Sequence, residues 1–256
     1  PNHHPDPTEP ENLSALIKEV KRTKAELGIA FDGDADRIGA VDEKGNIIWG
    51  DYLLAIFARE LLARKRKAKV VFEVKCSQAL PEIIEAYGGI PIMYKTGHSL
   101  IKQKMVEEDA LLAGEMSGHM FFRDNYFGFD DALFAGARLC ELLSKEEKSL
   151  YEIMQGFPKY YATREIRLSC SEQEKWQIVE KAKEHFSKKH KVIDIDGARV
   201  LLEDGWFLIR ASNTSAKVIF RAEAKSAKML RKILDEIKIK LVEFGLSKSE
   251  VEKITK

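Results

Sequence analysis

Apolar positions along the chain switch between a helical and a strand-like period, and the switches predict its elements. Leu13, Leu16, Ile17, Val20 and Leu27 recur at helical spacing, with Gly28 as a plausible C-terminal cap. A short strand over 28–31 follows, then a hairpin of 38–41 and 46–49 about Lys44-Gly45. Asp51 caps a long amphipathic helix carrying Leu53, Leu54, Ile56, Phe57, Leu61 and Leu62. From Lys69 strands and helices alternate: strand 70–74, helix 77–87, a Gly88-Gly89 turn, strand 90–94, helix 99–108, strand 111–113. A strand over 120–122 and helices over 130–143 and 150–154 complete this part.

The grammar changes after Pro158. A strand at 166–168 and a helix over 172–188 precede strands at 199–202, 206–210 and 218–221, and a last helix starts at Ser226. Strands alternating with helices argue for layered α/β structure, whereas hairpin strands under two helices argue for α+β. The predicted fold class is therefore α/β, with mixed-sheet α/β layers followed by a smaller α+β C-terminal domain. The boundary is expected near 158–163. No internal repeat or low-complexity segment is visible.

The most chemically pointed stretch is Asp32-Gly33-Asp34-Ala35-Asp36-Arg37, delivered by the apolar run 28–31. Alternating carboxylates in a tight loop suit a hard divalent cation, which takes oxygen ligands and neutralises their mutual repulsion. Arg37 beside them is able to hold an anion such as a phosphate against that cation. An EF-hand would place Glu43 at its twelfth position, but it needs glycine where Arg37 stands and a helix where a strand is predicted. A phosphatase-type aspartyl nucleophile and a merely solvated acidic turn are the other readings of the loop.

Other strand ends are polar too. Gly114-Glu115-Met116-Ser117-Gly118-His119 puts a carboxylate, a hydroxyl and an imidazole within five residues, flanked by glycines that let a backbone approach a ligand. Such groups can bond the vicinal hydroxyls of a sugar, and His119 can carry a proton near neutral pH; a polar hairpin turn is the bland alternative. Lys75 and His98 follow predicted strands, at the edge where open α/β sheets gather ligand groups, although a lone Lys or His there is more often a solvated loop residue. Arg210-Ala211-Ser212-Asn213-Thr214-Ser215 follows the strand ending at Ile209. Its guanidinium, hydroxyl and amide donors match a phosphate dianion, with Lys217 able to add charge. The competing reading is a polar turn with Asn213 at positive φ.

Composition narrows the context. With 45% hydrophobic and 32% charged residues in 256, the chain is an ordinary globular sequence with room for about two domains. Forty-two basic against 41 acidic residues give a net charge of +1, which offers no global case for nucleic acid. The runs Arg64-Lys65-Arg66-Lys67 and Lys188-Lys189-His190-Lys191 read as solvated helix termini. Cys76, Cys140 and Cys170 are isolated and lack metal spacing, and no apolar run approaches a membrane span. A cytoplasmic setting without membrane association is expected. The opening Pro1-Asn2-His3-His4-Pro5-Asp6-Pro7, with no methionine, is expected to be cut from something longer.

Taken in order, the three loops at 32–37, 114–119 and 210–214 resemble the metal, sugar-recognition and phosphate-binding loops of the α-D-phosphohexomutase superfamily. The Gly-Glu-Met-Ser-Gly-His form is most similar to its bacterial and archaeal phosphomannomutase/phosphoglucomutase branch, as are residues 1–12 and Lys95-Thr96-Gly97-His98-Ser99. The resemblance spans essentially the whole chain. It implies that residues 1–47 end a second α/β domain with the metal loop, 48–160 form an α/β sugar-binding third domain, and 161–256 form a mobile α+β phosphate-binding fourth.

The resemblance also implies an intramolecular phosphotransferase that interconverts 1-phospho and 6-phospho hexoses, mannose or glucose, through a phosphoserine and a hexose 1,6-bisphosphate. Mg²⁺ on Asp32, Asp34 and Asp36 with Arg37 beside it, Glu115 and Ser117 on sugar hydroxyls, and Arg210, Ser212, Asn213 and Thr214 on the non-reacting phosphate would follow. His119, His98 and Lys75 would be candidates for proton transfer or phosphate contact. The phosphoserine belongs to a first domain with a Ser-His-Asn-Pro-like loop, which does not occur in these residues, so the chain alone is expected to be inactive. Ala35 replaces a frequent glycine and Ala216 a frequent proline of the family pattern, which would respectively restrict one loop and loosen the other. A non-catalytic module binding sugar phosphate or a divalent cation is the alternative function.

Overall fold

A computed structural model describes residues 3–254; Pro1 and Asn2, the start of the proline-rich opening, and Thr255 and Lys256 lie outside the described residues. The chain divides into two compact units, one ending at Pro158 and one beginning at Lys159.

In the first unit a 3-10 turn, Pro10–Leu13, leads into helix α1 (Ser14–Thr23). The helix stops earlier than the apolar spacing predicts. Lys24 takes left-handed geometry (φ 56°) as its cap, and Gly28 lies inside strand β1 (Leu27–Phe31) instead of capping the helix. Gly28 is needed there for closeness, since a Cβ would fall 2.6 Å from a Val20 methyl. Strand β2 (Ile38–Asp42) pairs antiparallel with β1, and β3 (Ile47–Ile48) pairs with β2. The β2–β3 turn is the expected hairpin: Gly45 has φ 85°, and Asp42 accepts bonds from the Lys44 and Asn46 amides.

Helix α2 (Gly50–Arg64) buries Leu53, Leu54, Ile56, Phe57, Leu61 and Leu62. Asp51 is not its N-cap. It sits in the first turn, and its carboxylate accepts from the backbone amide of Ser77, 2.9 Å away. Strand β4 (Lys69–Glu73), helix α3 (Ala79–Ala86), strand β5 (Ile90–Tyr94), helix α4 (His98–Glu107), and strands β6 (Leu112–Gly114) and β7 (Met120–Phe122) follow in turn. Their sheet runs β5-β4-β6-β7, parallel except for the antiparallel β6–β7 pair, so it is mixed. Val71, Ala113 and Phe121 of this sheet share a buried cluster with Ile101 and Met105 of α4. Helix α5 (Ala132–Lys145) is capped by Asp131, which accepts from Phe134 N, so Asp130 stays outside the helix it was expected to start. Helix α6 (Leu150–Gln155) opens with a capping box of Ser149 and Glu152.

The second unit is antiparallel throughout. Strands β8 (Tyr161–Ala162) and β9 (Ile166–Ser169) precede helix α7 (Glu172–Ser187). Then come strands β10 (Lys191–Ile193), β11 (Ala198–Leu202), β12 (Gly205–Ala211) and β13 (Lys217–Ala224), helix α8 (Ala227–Phe244) and the short α9 (Lys248–Val251). The sheet runs β10-β11-β12-β13-β8, with β9 also on β13. Ile178, Val179 and Ala182 of α7 and Ile233, Leu234 and Ile237 of α8 pack with Phe207, Ile209, Phe220 and Ala222 in one apolar core. Strands β8 and β10 escape the periodicity because two or three residues are too short to show it. Among the described residues no helix is long and apolar enough to cross a membrane.

Of the two basic runs, 188–191 is the exposed helix terminus that was expected, and 64–67 is more than that. Helix α2 does end at Arg64, but Arg64 and Lys65 each hold the buried Asp124 at 2.7 Å, so this terminus is an ion-pair clamp and not simply a solvated end. Lys188 caps α7, and Lys191 already belongs to β10.

Candidate functional site

The acidic loop is the six-residue connection of an antiparallel hairpin, closed by the Phe31–Ile38 pair and by Asp32 N–H donating to Arg37 O at 3.3 Å. A strand on each side rules out the helix–loop–helix of an EF-hand, and Glu43 is elsewhere, accepting from the Tyr151 amide. Asp32 is buried and anchored: Oδ1 accepts from the amides of Asp36 and Arg37, and Oδ2 accepts from Arg37 Nε at 2.7 Å. Asp34 is exposed and Asp36 half-buried, and one carboxylate oxygen from each of Asp32, Asp34 and Asp36 falls within 4.8 Å of the others. This all-oxygen donor set fits a hard divalent cation.

Charges in the loop divide unequally. Burial opposes ionisation of Asp32, but the Arg37 guanidinium and amide hold its carboxyl below the usual value. Burial and the adjoining Asp32 push Asp36 the other way. Ala35 takes the left-handed conformation (φ 61°), and its carbonyl accepts from the amide of Ala132 at the start of α5. The restriction expected of an alanine here is thus real backbone strain, held in place by that bond.

The loop at 114–119 lies against the acidic one. A backbone bridge joins Arg37 to His119, and Ile38 N–H donates to Gly118 O at 3.1 Å. This loop is the β6–β7 turn, closed by Glu115 N–H to His119 O. Glu115 is buried and already engaged: Oε1 accepts from Gly97 N and Oε2 lies 2.8 Å from His119 Nδ1, with Ser117 Oγ 2.9 Å from the same nitrogen. Burial disfavours both charges, yet the pairing lowers the Glu115 pKa and raises that of His119. His119 Nε2 is left facing Asp36 Oδ2 at 3.4 Å.

His98 joins this group, its ring stacked on His119 with centroids 5.2 Å apart and its Nδ1 2.7 Å from Asp130 Oδ2. Lys75 is a buried residue and not a solvated loop lysine, with Nζ 3.6 Å from the fully buried Glu73. Glu73 in turn accepts from Thr96 Oγ1 and Met116 N. The first unit therefore gathers Asp32, Asp34, Asp36, Arg37, Glu115, Ser117, His119 and His98, with Lys75 buried beneath. Three partners escaped the sequence reading: Asp6, Glu73 and Asp130. Asp6 sits in the proline-rich opening, and its carboxylate accepts from Arg37 Nη1 at 3.1 Å. Its signal was the Asp6–Thr8 spacing of an Asx turn, in which Thr8 N and Oγ1 both bond Asp6.

Residues 210–215 run from the last two residues of β12, where Ala211 pairs with Val218, into the β12–β13 turn of the second unit. Asn213 is not at positive φ, contrary to the polar-turn reading. Arg210 is buried, with Nε donating to Asp196 at 2.7 Å. Ser212 Oγ lies 3.0 Å from Ser215 Oγ and accepts from Thr214 N, while Asn213 and Thr214 are exposed. Lys175, unanticipated because it lies on α7, is buried under the turn and donates to the carbonyls of Ser212 and Ser215. Those bonds hold the Ser212 and Ser215 carbonyls, and the Ser212 amide is spent on Lys217 O, so Asn213 and Thr214 are the exposed polar residues of the turn.

Comparison with known proteins decides the family. Sequence models of phosphoglucomutase/phosphomannomutase match in order: domain II over residues 1–45, the alpha/beta/alpha domain III over 49–161 and the C-terminal domain over 165–240. The chain belongs to the phosphoglucomutase/phosphomannomutase family. It is 46% identical over 234 residues to a Pseudomonas aeruginosa phosphomannomutase/phosphoglucomutase, covering 91% of this chain and 50% of that protein. It is 42% identical over 238 residues to a Methanocaldococcus jannaschii phosphomannomutase, covering 93% and 52%. A crystal structure of a phosphoglucomutase/phosphomannomutase family protein from Burkholderia thailandensis superposes with a TM-score of 0.89 at 42% identity, over 96% of this chain and 53% of that one. The chain thus spans about half the length of the relatives it matches.

Proposed function

We propose that these residues form the metal-, sugar- and phosphate-binding part of a phosphohexomutase that interconverts 1-phospho and 6-phospho hexoses, mannose or glucose. The observation that carries the reading is the Arg37–His119 backbone bridge, which sets the acidic loop against the carboxylate–hydroxyl–imidazole loop. In this reading residues 1–47, 48–160 and 161–256 act as three domains, and the nucleophilic phosphoserine is supplied by a segment outside these 256 residues.

Asp32, Asp34 and Asp36 would hold Mg²⁺, which when bound neutralises charge on a transferring phosphoryl group. Arg37, fixed by Asp32 and Asp6, presents a guanidinium to the same phosphoryl oxygens. Ser117 and Glu115 bind sugar hydroxyls; because Glu115 is buried and doubly engaged, its larger effect is to orient His119. His119 holds or releases a proton at Nε2, and His98, stacked on its ring, and Lys75 are further candidates for proton transfer or phosphate contact. Arg210, Ser212, Asn213 and Thr214 grip the phosphate that does not react. Transfer then runs from phosphoserine to the sugar monophosphate, through a hexose 1,6-bisphosphate, and back to serine.

The test joins this chain to an upstream segment carrying a Ser-His-Asn-Pro-like loop. Turnover of glucose 1-phosphate or mannose 1-phosphate by the joined protein, with none by the chain alone, supports the mutase. Bisphosphate binding without turnover in the joined protein supports a non-catalytic sugar-phosphate module instead. In the active protein Asp34→Ala should lower Mg²⁺-dependent turnover by orders of magnitude; wild-type turnover would reject the metal assignment.

A further inference from the structure

Two sets of cation-ligating side chains meet at Asp36, and their chemistry differs. The acidic loop offers oxygen alone. Beside it, Asp36, His98, His119 and Asp130 bring two imidazoles and two carboxylates together, with one donor atom from each lying within 4.8 Å of the others. Nitrogen donors shift preference away from Mg²⁺ toward the zinc class of divalent ions, whereas an all-carboxylate loop does the reverse.

The His set is also organised as a metal site is. His119 turns Nδ1 to the buried Glu115 carboxylate at 2.8 Å and leaves Nε2 toward Asp36 at 3.4 Å. A carboxylate behind one ring nitrogen fixes the tautomer in which the other carries a lone pair, the arrangement that usually backs a zinc-bound histidine. His98 stacks on His119 and turns Nδ1 to Asp130 at 2.7 Å. Bonds of 2.0–2.1 Å in a tetrahedron separate ligand atoms by about 3.3 Å, which small rotations of partly exposed side chains reach from the present spacing. Glu115, 3% exposed, is part of the buried framework and does not need to move.

We propose that Asp36, His98, His119 and Asp130 form a second cation site, selective for Zn²⁺-class ions, which shares Asp36 with the three-aspartate loop. The inference does not depend on the phosphoryl-transfer reading, because it concerns binding alone. The test titrates the purified chain with Co²⁺, whose visible spectrum reports nitrogen ligation and tetrahedral geometry, and with Zn²⁺ in competition. His98 is exposed, so His98→Ala should retain the wild-type melting temperature while losing the tetrahedral spectrum and at least tenfold in Zn²⁺ affinity. Glu115→Gln should weaken Zn²⁺ by about 10–100-fold, the usual effect of removing such a backing carboxylate. Asp34→Asn alters only the acidic loop and should leave Zn²⁺ affinity within about twofold. Wild-type affinity in the folded His98→Ala variant would overturn the proposal, as would loss of the Co²⁺ spectrum in Asp34→Asn, which would put the ion on the acidic loop.

Discussion

Arg37 Nη1 donates to Asp6 Oδ1 at 3.1 Å, tying the arginine of the acidic loop to a residue thirty-one positions earlier. Asp6 is itself held by the Thr8 amide and hydroxyl, and its carboxyl stays below its usual pKa despite partial burial. The guanidinium is therefore braced from two sides, by Asp32 at Nε and by Asp6 at Nη1.

Asp6→Ala should release one side of that brace and one turn of the opening segment. Both side chains keep some solvent contact, so the expected cost is about 1–2 kcal/mol, measured as a lower midpoint in urea. Asp6→Asn, which keeps an acceptor for Thr8, should recover part of it. An unchanged midpoint in Asp6→Ala would show that the brace contributes nothing.

Ala35 gives a two-sided test of strain. Its left-handed backbone costs an L-residue roughly 1–2 kcal/mol, which glycine avoids at an entropic cost of roughly 0.5–1 kcal/mol. Ala35→Gly should be neutral to mildly stabilising in denaturant unfolding, and Ala35→Val should destabilise, since a branched Cβ is an outlier at that φ. A marked loss in Ala35→Gly would mean that the methyl is itself required.

How much of this was readable follows from the range of each interaction. The loop at 32–37 was legible because its carboxylates alternate within six residues, and most helices and strands because apolar period and capping are local. Gly28 and Asp51 were misassigned because tertiary demands replaced the local ones. Gly28 makes room for Val20, and Asp51 satisfies Ser77 N from another turn. Asp124 was invisible for the same reason, its clamp lying sixty residues away at Arg64. Lys175 and Asp196 could not be linked to residues 210–215 without the β-sheet that brings α7 and the segment before β11 alongside.

The two loops of the first unit should be separable by a single methyl. A Cβ on Gly118, at φ 100°, would fall 2.4 Å from Ile38 O, and one on Gly50 would fall 2.5 Å from Glu115 O. Both clashes are with backbone, so Gly118→Ala and Gly50→Ala should each destabilise by about 2–3 kcal/mol in urea unfolding. Gly88→Ala is the control: it has φ 80° but nothing within 4 Å, so it pays only for backbone geometry. Equal losses in all three would deny that close approach matters.

Asp124 links stability to pH. Burial resists its ionisation, but Lys65 and Arg64 outweigh that and hold its carboxyl below the usual value. The folded chain thus binds this proton less readily than the unfolded one. The stabilisation is present above the unfolded pKa of about 3.9 and is lost as pH falls through the lower folded value. Asp124→Asn cannot ionise, so it should lose roughly 1–2 kcal/mol near neutral pH, a figure reduced by the solvent exposure of both cations. Unfolding in urea at successive pH values should show the gap between wild type and variant closing once the medium is more acidic than that unfolded value. A gap of constant size across the series would assign the loss to packing and not to the ion pairs.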